Sequence, residues 1–79
     1  MNLSGILVSV ETGHVDDVIA ALGQLPGVSV EASDRAAGRL VVLQEAADVA
    51  AEVASFSRIR ALGHVIGADL VTHCFDEGA

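Results

Sequence analysis

VSVEASDRAAGRLVVLQEA, Val28 to Ala46, is the stretch on which the fold turns. Val28, Val30 and Ala32 alternate with Ser29, Glu31 and Ser33, the pattern of a short strand with one wet face. A second strand follows over residues 39–45. Between them lies DRAAG, Asp34 to Gly38, a turn whose length suits an antiparallel hairpin. The second of these strands is apolar on both sides. Leu40 and Val42 face one way, and Val41 and Leu43 face the other. One set can enter a core; what covers the other is the question that leads to function.

On the N-terminal side, Ile6, Val8 and Val10 alternate with Leu7, Ser9 and Glu11, which predicts a strand over 5–11. Thr12-Gly13 closes it, with Thr12 as a candidate helix cap. Val15, Val18, Ile19, Leu22 and Leu25 then form one apolar stripe at helical spacing. Asp16 and Asp17 sit in the first turn, where carboxylates favour the positive helix end. Pro26-Gly27 ends this helix.

On the C-terminal side, Asp48, Ala50, Ala51, Glu52 and Ala54 carry helix propensity or first-turn charge. Val49, Val53, Phe56 and Ile59 are the expected buried stripe, and Leu62-Gly63 the helix end. The last strand is predicted over 65–75, with 76–79 as a frayed tail. Its parity conflicts: Val65 reads as core yet shares a face with Asp69, which a bulge near Gly67 would resolve.

The order is βαββαβ, and an internal echo supports it: LPGV (25–28) and LGHV (62–65) each lead from a helix into a strand. Two right-handed βαβ units of this kind make an α+β, ferredoxin-like sandwich. A four-stranded antiparallel sheet carries both helices on one face, with the first and third strands central. Residues 1–79 make one domain, since 79 residues are too few for two. Ile6, Val8, Val10, Leu40 and Val42 should meet the helices. The uncovered face would then present Leu7, Val41 and Leu43, joined from the last strand by Val71 and Phe75, with His73 and Asp69 beside them.

Composition narrows the function. Four Arg and no Lys face eleven acids, for a net charge of −7. Phosphate binding needs a basic patch, so nucleic acid is a poor partner and a basic protein segment a better one. The single cysteine, Cys74, excludes an intrachain disulfide. The N-terminus has no basic region and its apolar run is too short to span a membrane, so a cytoplasmic location is expected. No metal site, cofactor or catalytic group is expected. His73 and Cys74 are adjacent and point apart on a strand; His14 and His64 read as separate surface residues. The eight glycines show no nucleotide-binding spacing, and Asp16-Asp17 do not share a helix face. Glu11, Asp34, Glu45 and Asp69, with Asp76 and Glu77, instead form an acidic rim to the apolar stripe. Such a surface suits a peptide with an apolar side and basic residues, docked on the sheet face or against an edge strand. A homodimer through open sheets is the plainer reading of the same stripe.

SGILVSVE at the start, LPGV at 25–28, D-x-x-x-G-x-L-V-V from Asp34 to Val42 and LVTH at 70–73 together resemble the NapD family, over residues 4–75. The resemblance implies a ferredoxin-like, non-enzymatic cytoplasmic chaperone for assembly of the periplasmic nitrate reductase. Its partner would be the twin-arginine (Tat) signal peptide of the catalytic subunit NapA, held back from export until the molybdenum cofactor is inserted. By that resemblance the binding surface is the sheet face, here Leu7, Ser9, Val41, Leu43, Val71 and His73. The chain departs from the family pattern at Thr72, where an aromatic is frequent, and at Gly63-His64, where Pro-Gly is usual. The alternatives are an amino-acid-sensing βαββαβ module and a structural subunit of a larger complex. The free protein is expected to be a monomer or weak homodimer.

Overall fold

The computed structural model describes residues 2–75, and side chains over 2–71; the expected tail at 76–79 lies outside the described residues. The elements are β1 (Asn2–Val10), α1 (Val15–Leu22), β2 (Val28–Asp34), β3 (Arg39–Ala46), α2 (Val49–Ala61) and β4 (Val65–Phe75). The sheet order is β2-β3-β1-β4, every neighbouring pair antiparallel. This is the expected ferredoxin-like arrangement, with β1 and β3 central.

Alternation along the central strands builds the core. Ile6, Val8 and Val10 of β1 and Leu40 and Val42 of β3 are buried together with Val15, Val18 and Leu22 of α1 and Ile59 of α2. All the strand positions in this set belong to one face, so both helices cover the same side. β1 starts earlier than the expected 5–11, because Asn2 and Ser4 are paired on both sides by β3 and β4 and lie buried. Helix α1 is shorter than its apolar stripe. It ends at Leu22, and Leu25 packs against the core from the following turn. Pro26 disfavours helical backbone in the residue before it, which sets the limit. Thr12 is not the cap: His14 occupies that position and makes no side-chain cap bond. Asp48 does cap α2, its Oδ1 accepting from the Ala51 N–H at 2.8 Å.

Two glycines fix the connections at opposite ends of the sheet. Gly27 has φ +73°, and a Cβ there would lie 2.5 Å from the Glu45 carbonyl oxygen. Gly38 has φ +66°, and a Cβ there would meet the Val10 carbonyl oxygen at 2.5 Å. Each glycine carbonyl accepts a 2.7 Å hydrogen bond from the residue it approaches, Glu45 and Val10 respectively. Only a residue without a side chain permits both the left-handed backbone and the close approach.

Helix α2 sits differently from its expected stripe. Ile59 is buried and Phe56 half-buried, but Val49 and Val53 are each 58% exposed. Glu52 takes the inward place one turn before Phe56. Beneath it the sheet is polar: Ser4 Oγ donates to Glu52 Oε2 at 2.9 Å, and Gln44 Nε2 donates to the Glu52 carbonyl at 3.2 Å. The buried polar floor needs a polar partner, so the helix turns Glu52 toward it and the two valines outward.

Candidate functional site

The face of the sheet away from the helices is built by the other parity of the same strands. Register places Ala32, Val41, Leu7 and Asp69 in one row across all four strands. A neighbouring row carries Ser29, Leu43 and Gly5. Toward one end lie Leu3 and Glu45; toward the other, Asp34, Arg39, Ser9 and Gly67. Leu3, Leu7 and Leu43 are half-buried by their neighbours in the sheet, while Val41 is exposed. Neither helix covers this face. The described chain therefore leaves the second apolar side of β3 open, with Leu3, Leu7, Val41 and Leu43 as its centre.

The structure brings Leu7, Ser9, Val41 and Leu43 together as expected, with Asp34, Glu45 and Asp69 around them. Glu11 stands apart. It lies past the end of β1, and its Oε2 is 3.1 Å from His64 Nδ1, so it belongs to the loops at that end of the sheet. Arg39, opposite Ser9 and Asp34, adds a cation that the sequence reading overlooked. Its parity with Val41 and Leu43 was visible in the strand pattern. Leu3 was missed because the first strand was begun too late.

Irregularities in the edge strands revise the other expected members. In β4, Val10 pairs with Val65 and Ser9 with Gly67, leaving Ile66 as the extra residue. This is the anticipated irregularity near Gly67: Val65 packs on the core while Asp69 faces Leu7. A second irregularity follows, where Ile6 pairs with Leu70 and Gly5 with Thr72. Val71 is thereby the unpaired extra residue, exposed, and it does not share the expected register with Asp69. His73 pairs with Ser4 and Phe75 with Asn2, both helix-side positions of β1, not with open-face residues. The side chains of His73 and Phe75 lie outside the described residues, as do Asp76 and Glu77. In β2, Glu31 is the extra residue, so Ala32 moves from the Val30 side to the open row beside Val41.

A model of the NapD protein family matches residues 1–77. The chain belongs to the NapD family. It is also similar to the solution structure of the E. coli Tat proofreading chaperone protein NapD, with a TM-score of 0.85 and 26% sequence identity. That likeness covers 98% of this chain and 81% of the E. coli chain. No curated protein sequence matches this one.

This NapD-family chain also has a recess on the helix side. A hollow of about 160 Å³ is lined by Ser4, Gln44, Glu52, Val53, Phe56 and Leu70. It lies beside the polar floor that turned α2, and Gln44 Oε1 is buried in that floor without a hydrogen-bond partner among the described residues. No helix among the described residues is long and apolar enough to cross a membrane.

Proposed function

We propose that this NapD-family chain is a cytoplasmic Tat proofreading chaperone, without enzymatic activity, that binds the twin-arginine signal peptide of the nitrate reductase catalytic subunit NapA. Its binding holds back export until cofactor insertion and folding are complete. The carrying observation is the uncovered apolar band, Leu3, Leu7, Val41 and Leu43, flanked by Asp34, Glu45 and Asp69 in a member of this family. Such a peptide is basic at its start and apolar beyond. Its apolar side covers the leucines and valine, while its arginines meet the carboxylates.

Arg39 refines the placement. It repels a guanidinium from its own row, which directs the peptide's arginines toward Glu45 and Asp69. Docking on the face is favoured over pairing with an edge. β2 carries one ladder irregularity and β4 two, and an interrupted ladder is a poor template for an added strand. Binding by side-chain burial needs no nucleotide for release; competition with the export machinery suffices.

Calorimetric titration with a NapA-type signal peptide tests the reading, alongside the same peptide with both arginines replaced by glutamine. Tight binding that weakens without the arginines is the expected result. Equal binding to both peptides would assign recognition to the apolar band alone. No binding to either would overturn the proposal and turn attention to small-molecule ligands.

A further inference from the structure

We propose that Glu11, His14 and His64 form a binding site for a divalent transition-metal cation of the zinc class, at the loop end of the sandwich. This site is distinct from the open sheet face and does not depend on the chaperone reading. In the sequence the two histidines are far apart, and each alone reads as a surface residue. The fold brings them into contact, their rings stacked with centroids 3.6 Å apart and planes within 3° of parallel.

The loops that carry them are fixed by the backbone. The Glu11 N–H donates to the His64 carbonyl at 2.9 Å, and the His14 N–H donates to the Glu11 carbonyl at 3.1 Å. Glu11 is thus the hinge between the β1–α1 loop and the turn before β4. One ligand atom from each of Glu11, His14 and His64 lies within 4.8 Å of the others. Zinc binds imidazole nitrogen at about 2.0–2.1 Å, so the three donors need only a modest approach to share an ion.

The carboxylates around the rings make the stronger argument. His64 Nδ1 lies 3.1 Å from Glu11 Oε2, and His14 Nδ1 lies 3.1 Å from Asp17 Oδ2. An imidazole that donates from Nδ1 to a carboxylate keeps its lone pair on Nε2, the arrangement that orients histidines for metal binding. His14 has such a partner in Asp17, whereas the carboxylate beside His64 Nδ1 is the third ligand itself, Glu11, so an ion shared by those two would take the place of their hydrogen bond. Parallel rings aim their lone pairs side by side, so binding turns them out of the stack. Both side chains are roughly two-fifths exposed, which leaves room for that rotation and for the ion to enter. Asp17 positions His14, Glu11 supplies the third ligand from its carboxylate, and water completes the shell. Imidazole with one carboxylate suits zinc, nickel or copper and disfavours magnesium and calcium.

His64 also stands where a glycine would be easier. It has φ +70°, the left-handed region, at the place in LGHV that Gly27 holds in LPGV. His64→Gly therefore removes a ligand while suiting the backbone, and the variant should fold. His14→Gln removes the other ring from a half-exposed cap position that makes no side-chain cap bond.

The experiment is calorimetric titration of untagged, chelator-treated protein with zinc chloride, and with magnesium chloride as the control ion. Melting curves are recorded with and without zinc. The expected result is one zinc per chain, no magnesium heat, and binding at least about tenfold weaker in His64→Gly and in His14→Gln. Zinc should raise the melting temperature of the parent chain and raise that of His64→Gly by less at the same zinc concentration, since the ion binds the folded state only. Zinc binding of undiminished strength in both variants would place the ion elsewhere and overturn the proposal. Absence of zinc heat in the parent chain would overturn it as well.

Discussion

The two faces of the sheet are made by the same strands, yet they do different work. On the helix side, Ile6, Val8, Leu40 and Val42 are sealed against α1 and α2 with no exposed surface. On the other side, Leu7, Val41 and Leu43 carry comparable hydrocarbon and meet no part of the described chain but their strand neighbours. Burial on the first face holds the fold together. The same chemistry on the second face is unspent, and apolar surface left in water is surface available to a partner. In so small a domain side-chain parity alone sets an uncovered apolar band next to a sealed core of similar composition.

Two leucines of β3, Leu40 on the core face and Leu43 on the open one, put the difference to the hardest test. Leu40→Ala should cost about 2–5 kcal/mol, because it leaves a cavity in a closed core. Urea unfolding would read it as a fall in midpoint; a change below about 1 kcal/mol would mean the core repacks. Leu43→Glu should move stability little. Its expected effect is a loss of peptide affinity of about tenfold or more, about 1.4 kcal/mol, by calorimetry. Unchanged affinity would remove the open face from the binding surface.

Smaller effects sharpen the picture. Asp69→Asn beside Leu7 should weaken the peptide only a few-fold, about 0.2–1 kcal/mol for one exposed charge pair. The loss should shrink as salt is raised, and a loss independent of salt would argue against a charge contact. The least effect is expected at Val53, which the helical pattern assigned to the core. Val53→Ser should change stability by about 0.5 kcal/mol or less, since the residue is mostly exposed. Ile59→Ala on the same helix should cost about 2–5 kcal/mol. Equal costs at Val53 and Ile59 would show that α2 packs along the stripe first expected.

Much of this was legible because it is local. Alternation along 39–45 and the short DRAAG turn make a hairpin, and hairpins between two helix-led units leave few topologies. LPGV marked the end of α1, since proline and a left-handed glycine act on the backbone where they stand. The open-face set on β1 and β3 followed from parity, because both strands run without interruption.

The misses share a different cause. Val71 and Glu31 are extra residues in ladders whose other side is set by distant strands. One such residue reverses the parity of all that follows. That is why His73 pairs with a helix-side position and Ala32 with an open one. The turn of α2 was hidden for a related reason: Val49 and Val53 are apolar at helical spacing, but the sheet beneath offers Ser4 and Gln44.

The order of elements, the glycine turns and the two-sided character of β3 can be read along the chain, because periodicity, turn chemistry and backbone sterics act over a few neighbouring residues. Only the tertiary structure decided the register of the edge strands, the inward place of Glu52 and the meeting of His14 with His64. Those depend on contacts between segments distant along the chain, and a contact of that kind is settled by which arrangement pairs the most backbone and buries the fewest unmatched polar groups.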